Sequence, residues 1–154
     1  MFRDVILVFI GGGIGAAVRE LLMLGVANLP GGFPMAIFIA NMTAALMIGM
    51  LSALITGGAI GSGGKLLLTT GIMGGLSTFS SFVWGTYQML ANPAEQVSAI
   101  VYLVLSMVAG FLLVESGLWL GSRLMHHATE TSCEPSAVFV ILAPNESLRP
   151  HYSQ

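Results

Sequence analysis

Charged side chains are scarce in this chain of 154 residues, since only seven are acidic and five are basic. Together they make up 8% of the residues, against about 25% in an ordinary soluble domain. This shortage excludes a soluble globular enzyme and a disordered chain, because neither could keep its surface in water. A net charge of −2 without a basic patch excludes a nucleic-acid binder. The single cysteine, Cys133, excludes an internal disulfide framework.

Apolar residues and glycine are abundant instead, with 55% hydrophobic residues and 20 glycines. A helix that crosses a bilayer needs about 20 mostly apolar residues. Four stretches meet this requirement, at roughly residues 5–27, 35–56, 65–91 and 97–122. The sequence therefore predicts an all-α integral membrane protein with four transmembrane helices. Short loops predict that sequential helices are antiparallel neighbours.

The distribution of basic residues gives a small preference for one orientation. An even number of spans puts both termini on one side, together with Arg3, Lys65 and Arg123, while Arg19 lies toward the other side. The positive-inside rule therefore favours cytoplasmic termini in the plasma membrane. Because the excess is only three against one, insertion in both orientations stays open.

The chain divides into a membrane domain, residues 1–123, and a C-terminal polar tail, residues 124–154. The tail surrounds a short apolar run, residues 137–143, which is too short to span a membrane. We expect the tail to be poorly ordered, or else to contain a strand-like segment that packs on itself or on a partner. His126 and His127 have no Cys or acidic partner at ligand spacing, so they predict a solvated helix end rather than a metal site.

The glycines at residues 11–16 follow an apolar run and imitate a dinucleotide-binding fingerprint. That interpretation fails, because no acidic residue follows about 20 positions on and no strand–helix alternation continues. In a membrane helix, Gly11, Gly15 and Arg19 recur every four residues and predict a small-residue face for close helix contact. Arg19 either faces the bundle, a partner or water, or extends to the membrane surface beside Glu20.

The third span is unusually rich in glycine and hydroxyl residues between positions 69 and 82. The Gly74–Gly75 pair lowers helix stability, and Ser and Thr side chains compete with the helical hydrogen bonds. This pattern predicts a broken helix near the middle of the membrane, with free carbonyls that suit a cation and free N–H groups that suit an anion. Phe79 and Phe82 follow the break on one face, where they either pack or present electropositive ring edges to an anion.

Three further polar residues lie inside predicted spans. Asn41 in the second span either bonds another helix or turns its amide toward a polar pathway. Ser106 lies in the fourth span. Glu115, deeper in the same helix, is an intramembrane carboxylate and therefore a functional candidate.

These motifs together resemble the Fluc (CrcB) family of small fluoride channels over roughly residues 8–122. The resemblance rests on residues 12–16 with Arg19, on Asn41, and on residues 74–82. The last segment, G-G-L-S-T-F-S-S-F, is similar to the family's signature in the third span.

The resemblance implies a passive channel that exports fluoride from the cytoplasm to relieve its toxicity. It implies an antiparallel, dual-topology homodimer with two pores at the subunit interface. Carbonyls of Gly74 and Ser77 from both subunits would hold a central structural sodium ion. The implied fluoride pathway contains Asn41, Phe79, Phe82, Thr78, Ser80, Ser81 and Ser106, with Arg19 near the vestibule.

Three departures from the family pattern are visible. Val83, Trp84 and Gly85 follow Phe82, so an acidic residue that the family often carries there is missing. Gly110 stands where some members have a second serine, and the tail is longer than the family needs. These departures leave open a heterodimer with a paralogous second subunit.

Two other classes of protein remain alternatives. A small proton-coupled multidrug exporter would need an intramembrane carboxylate, for which Glu115 is the main candidate and Glu20 the second. A purely structural membrane scaffold would explain the glycines, but not Asn41 with the hydroxyl cluster. No enzyme is expected, because all three histidines lie in the tail and the spans contain no catalytic constellation.

Overall fold

The computed structural model describes residues 1–132, with side chains described through His126, and all regular structure in this part is helical. Four helical stretches in it are long and apolar enough to cross a membrane. They are Phe2–Gly25, Met35–Thr56, Ser62–Ala91 and Gln96–His126. The predicted all-α membrane fold is confirmed, and the chain is a multi-pass membrane protein. We call the first two helices α1 (Phe2–Gly25) and α2 (Met35–Thr56).

The third span is interrupted, as predicted. It begins with α3 (Ser62–Lys65), continues as a π-helical segment (Leu66–Met73) and a single turn, α4 (Gly74–Leu76), and resumes as α5 (Phe79–Ala91). Ser77 and Thr78 between them have extended backbone angles. The Gly74–Gly75 pair therefore lies just before the break, inside α4. The π-helical segment was not anticipated from the sequence.

The fourth span is one continuous helix, α6 (Gln96–Ser132). It is longer than predicted, and its last turns belong to the region assigned to the polar tail from residue 124. The Met125 side chain lies against Gly57, just past the end of α2, so the end of α6 extends beyond α2. The remainder of the predicted tail, residues 133–154, lies outside the described residues.

Glycines set the closest helix contacts. Gly11 and Gly15 of α1 are buried against the backbone of the third span, where any added Cβ would overlap main-chain atoms. The predicted small-residue face is thereby confirmed. Gly49 of α2 and Gly117 of α6 allow the same close approach between those two helices.

Sequential helices are antiparallel and in contact, as predicted, but they are not the most extensively packed pairs. The most extensive packing joins α1 to the third span and α2 to α6, and both pairs run parallel. The physical reason is that small residues occupy matching heights on these helices, so their backbones approach more closely than large side chains would allow. Loop length constrains which helices can be neighbours, but it does not choose among them.

Candidate ion pathway at the break in the third span

Asn41, on the neighbouring helix α2, forms hydrogen bonds with the backbone at the break. Its Oδ1 accepts a hydrogen bond of 2.8 Å from the Thr78 N–H, and its Nδ2 donates one of 3.4 Å to the Thr78 carbonyl. One amide thus pairs both backbone groups of the residue at the break. Interrupted backbone persists at membrane depth only where such groups find partners in protein or water.

Thr78 in turn caps α5. Its Oγ1 accepts a 3.2 Å hydrogen bond from the Ser81 N–H and donates one of 3.1 Å to Ser81 Oγ. Ser80 Oγ lies 3.3 Å from the same Thr78 hydroxyl. A threonine at this position satisfies a helix N–H that would otherwise have no acceptor. The three predicted hydroxyl residues therefore form one cluster at the beginning of α5.

Because of these hydrogen bonds, two carbonyls at and just before the break have no helical N–H donor. In a continuous α-helix, the N–H of residue i+4 bonds the carbonyl of residue i. The Thr78 N–H, the helical donor to Gly74, goes instead to Asn41, and the Ser81 N–H, the helical donor to Ser77, goes to Thr78. The carbonyls of Gly74 and Ser77 therefore lose their helical donors.

Arg19 of α1 faces the third span. Its Nη1 donates a 3.2 Å hydrogen bond to the Gly75 carbonyl, and its Nε is buried without a hydrogen bond in the described part of the chain. A cation at the C-terminal end of α4 is electrostatically favourable, because the last carbonyls of a helix carry partial negative charge. Of the two sequence interpretations, the structure supports the one in which Arg19 faces the bundle.

A groove of about 370 Å³ runs between α2, the break and α6. The Ser106 hydroxyl on its α6 side is buried with no hydrogen-bond partner among the described residues. The two phenylalanine rings lie 6.4 Å apart, and Phe79 is 77% exposed. The groove brings together five of the predicted pathway residues: Asn41, Thr78, Phe79, Phe82 and Ser106.

The other predicted residues lie around this groove rather than in it. Ser80 is exposed on the outer side of α5, and Ser81 opens toward a second cavity near the α1–α2 loop. Glu115 is exposed on α6 and lines a different cavity with Thr56 and Ser122. The carboxylate is thus separate from the polar cluster at the break.

The sequence analysis missed Tyr102 of α6. Its ring is fully buried, 5.2 Å from the ring of Phe82 and 4.9 Å from that of Phe33, measured between centroids. Its hydroxyl is buried without a hydrogen-bond partner in the described part of the chain. The available signal was its position four residues before Ser106, which places both residues on one face of the helix.

Four spans, one of them broken at a polar cluster, define a small multi-pass membrane protein with polar groups inside its bundle. Residues 6–118 match the family model described as "CrcB-like protein, Camphor Resistance (CrcB)". This match covers more than half of the chain, and the chain belongs to the CrcB family.

Curated relatives of this chain are named as ion channels and not as enzymes. Fluoride-specific ion channel FluC 3 of Yersinia pseudotuberculosis is 49% identical over 119 residues, which cover 77% of this chain and 89% of the relative. FluC 1 of Ligilactobacillus salivarius is 40% identical over 114 residues, covering 74% and 96%. FluC 1 of Brucella abortus is 38% identical over 124 residues, covering 80% of this chain and 46% of that longer protein.

Proposed function

We propose that this chain is a subunit of a fluoride-specific passive ion channel in the plasma membrane, which lets fluoride leave the cytoplasm and relieves its toxicity. The names of the relatives support the transported ion. The observation that carries the proposal is the pairing of Asn41 with both backbone groups of Thr78, because it maintains a polar break beside the groove.

The groove has the chemistry that a fluoride pathway needs. Fluoride is small and strongly hydrated, so a pore must replace its water with hydrogen-bond donors and still release the ion. The hydroxyls of Thr78 and Ser106 and the amide of Asn41 supply polar groups along the groove. The ring edges of Phe79 and Phe82 are electropositive and can approach an anion from the apolar side.

A second subunit would complete the pathway. Phe79 is 77% exposed in the single chain, although a ring that lines a pore needs protein on both sides. An antiparallel homodimer would close two such grooves at the interface, one for each subunit. A paralogous second subunit would close them in the same way, and the lipid bilayer covers the remaining apolar surface.

The break also fits the proposed structural sodium ion at the dimer centre. Hard cations prefer oxygen ligands, and unwound carbonyls at half-helix ends are a recurring Na⁺ site in membrane proteins. Gly74 and Ser77 are the residues whose carbonyls lose their helical donors. The carbonyls of Gly74 and Ser77 would hold the ion, which would supply them with a positive partner in place of the lost N–H donors.

The alternative proposal, a proton-coupled exporter, would use Glu115. Its position outside the groove and the channel names of the relatives favour the fluoride channel over this alternative.

Fluoride efflux from liposomes that contain the purified full-length protein tests the proposal, with a fluoride electrode as the readout. Chloride-loaded liposomes and empty vesicles are the controls. Fast efflux that is selective for fluoride supports a homodimeric channel. Absence of efflux from well-folded protein, with or without a paralogous subunit from the same source, would overturn the proposal.

A further inference from the structure

A second cavity lies at the loop end of the bundle, on the far side of the hydroxyl cluster from the groove. It has a volume of about 580 Å³ and is bounded by the α1–α2 loop, the first turn of α2, α5 and the segment before α6. Its polar lining comes from four residues: Asn28, Ser81, Gln88 and Glu95. The cavity is therefore a polar compartment where the membrane spans meet their loops.

The cavity and the groove meet at two hydroxyls. Ser81 lines the cavity, Thr78 lines the groove, and their Oγ atoms lie 3.1 Å apart in a hydrogen bond. An ion that leaves the groove past this pair would enter the loop-end cavity. Under the proposed function, the cavity is thus the mouth of the pathway on that side.

Glu95 is the charged residue in the described lining of this mouth. Its N–H donates to the Asn92 carbonyl and its carbonyl accepts from the Ala99 N–H, both at 2.9 Å, so its backbone is fixed at the beginning of α6. Its carboxylate lies against Gly32, whose φ of +75° and lack of a Cβ make room for it. No ion pair to Glu95 is present among the described residues, and the carboxylate therefore acts on the cavity without a neutralising partner.

Gly85 lines the same cavity as Glu95. Gly85 is one of the three residues after Phe82, the stretch in which the family resemblance leads one to expect an acidic residue that this chain lacks. The fold thus brings a carboxylate from the segment between α5 and α6, ten residues after Gly85, into the same compartment. The other ionisable groups of the adjoining part of α1 are Arg19, which bonds the Gly75 carbonyl, and Glu20, which is exposed and does not line the cavity.

We propose that Glu95 determines how fast anions pass the loop-end mouth, by placing one negative charge beside their path. This inference rests on the proposed fluoride conduction. A carboxylate lowers the local concentration of a like-charged ion, and this effect is screened by salt because the mouth contains water. Across a water-like dielectric, one unit charge at several ångströms changes that concentration by about two- to fivefold.

The test compares initial fluoride efflux from liposomes that contain the full-length protein or one of three variants. Glu95→Gln removes the charge and keeps the volume, so the space beside Gly32 stays filled. Glu95→Asp keeps the charge. Glu20→Gln removes a carboxylate at the same end of the bundle that does not line the cavity. Each protein is measured at low and high concentrations of an impermeant salt.

We expect Glu95→Gln to raise efflux by about two- to fivefold at low salt. We expect this difference to shrink at about 1 M salt, where the Debye length is about 3 Å. Glu95→Asp and Glu20→Gln should match the unmodified protein at both concentrations.

Equal rates for Glu95→Gln and the unmodified protein would overturn the inference and leave the channel intact. A change that persists at high salt, or that Glu95→Asp shares, would assign Glu95 a structural role and also overturn it. Absence of efflux from the unmodified protein would overturn the proposed function, and this inference with it.

Discussion

The third and fourth spans lie in the same bundle, but the backbone groups at the break in the third span and the serines near the end of the fourth span bond different kinds of partner. The third span has a mean hydropathy of 1.4 over its most apolar 18 residues and is broken, and backbone groups at the break are bonded by side chains of other helices. The fourth span has a mean hydropathy of 2.5 over its most apolar 18 residues and is continuous. Its Ser116 and Ser122 hydroxyls donate to carbonyls of their own helix.

The difference distinguishes polar residues that bond only within their own helix from those that bond other helices. A serine that bonds its own helix needs nothing from its neighbours. The break at Thr78, in contrast, depends on Asn41 from α2, and Arg19 of α1 bonds the turn just before it. Three spans therefore converge on one interruption, and that convergence, rather than polarity alone, identifies the candidate pathway.

The largest effect should come from the glycine that brings α1 against the third span. In Gly75→Ala, the new Cβ would overlap the Gly12 carbonyl, and overpacking of this kind costs about 1–3 kcal/mol. We expect a lower yield of folded protein and a lower unfolding temperature, measured by size-exclusion profile and thermal unfolding in detergent. Gly110→Ala of the fourth span is the matched control, because its Cβ would meet only Met42 Cε at 3.6 Å. Equal losses of stability in Gly75→Ala and Gly110→Ala would show that the close backbone contact at Gly75 is not what makes the third span sensitive.

Asn41→Leu should leave a folded protein that conducts no fluoride above the level of empty vesicles. The substitution leaves the Thr78 N–H and carbonyl without their partner, which costs about 1–3 kcal/mol and allows the break to rearrange. Thr43→Val on the exposed side of the same helix is the control and should conduct normally. Normal efflux from Asn41→Leu would separate the break from conduction and contradict the proposed pathway.

Phe79→Ile and Phe82→Ile should reduce fluoride efflux by about two- to tenfold, because aromatic ring contacts are worth about 0.5–1.5 kcal/mol and isoleucine offers none. Phe111→Ile is the control, since this exposed ring on α6 does not line the groove. Efflux is measured with a fluoride electrode at equal amounts of folded protein. If both variants conduct normally, the rings pack the groove but do not contribute to the pathway.

Much of this site could be predicted from the sequence, because the residues that break a helix are local signals. The glycines and hydroxyls of the third span predicted the interruption, and Asn41 was among the polar residues singled out in the other spans. The partners could not be predicted, since the pairing of Asn41 with Thr78 depends on how α2 packs. Tyr102 was missed for the same reason: its hydroxyl becomes notable only when packing buries it without a bond.

The sequence also offered a polar residue that the structure separates from the break. Glu115 stood out as an intramembrane carboxylate, and sequence alone could not distinguish a residue in a pathway from one on an outer surface. In the fold it is exposed on α6, in a cavity with Thr56 and Ser122 near the end of α2. Its role is therefore the sharpest test of the comparison between the two spans.

Glu115→Gln should have the smallest effect, with fluoride efflux within about twofold of the unmodified protein, because an exposed charge outside the groove is screened from it. Ser106→Ala on the same helix is the informative companion, since its hydroxyl faces the groove and its loss should lower efflux more. A proton-coupled exporter would behave in the opposite way, because it cannot exchange protons for substrate without the carboxylate. Loss of transport in Glu115→Gln, with Ser106→Ala unaffected, would therefore move the functional centre from the broken span to the continuous one.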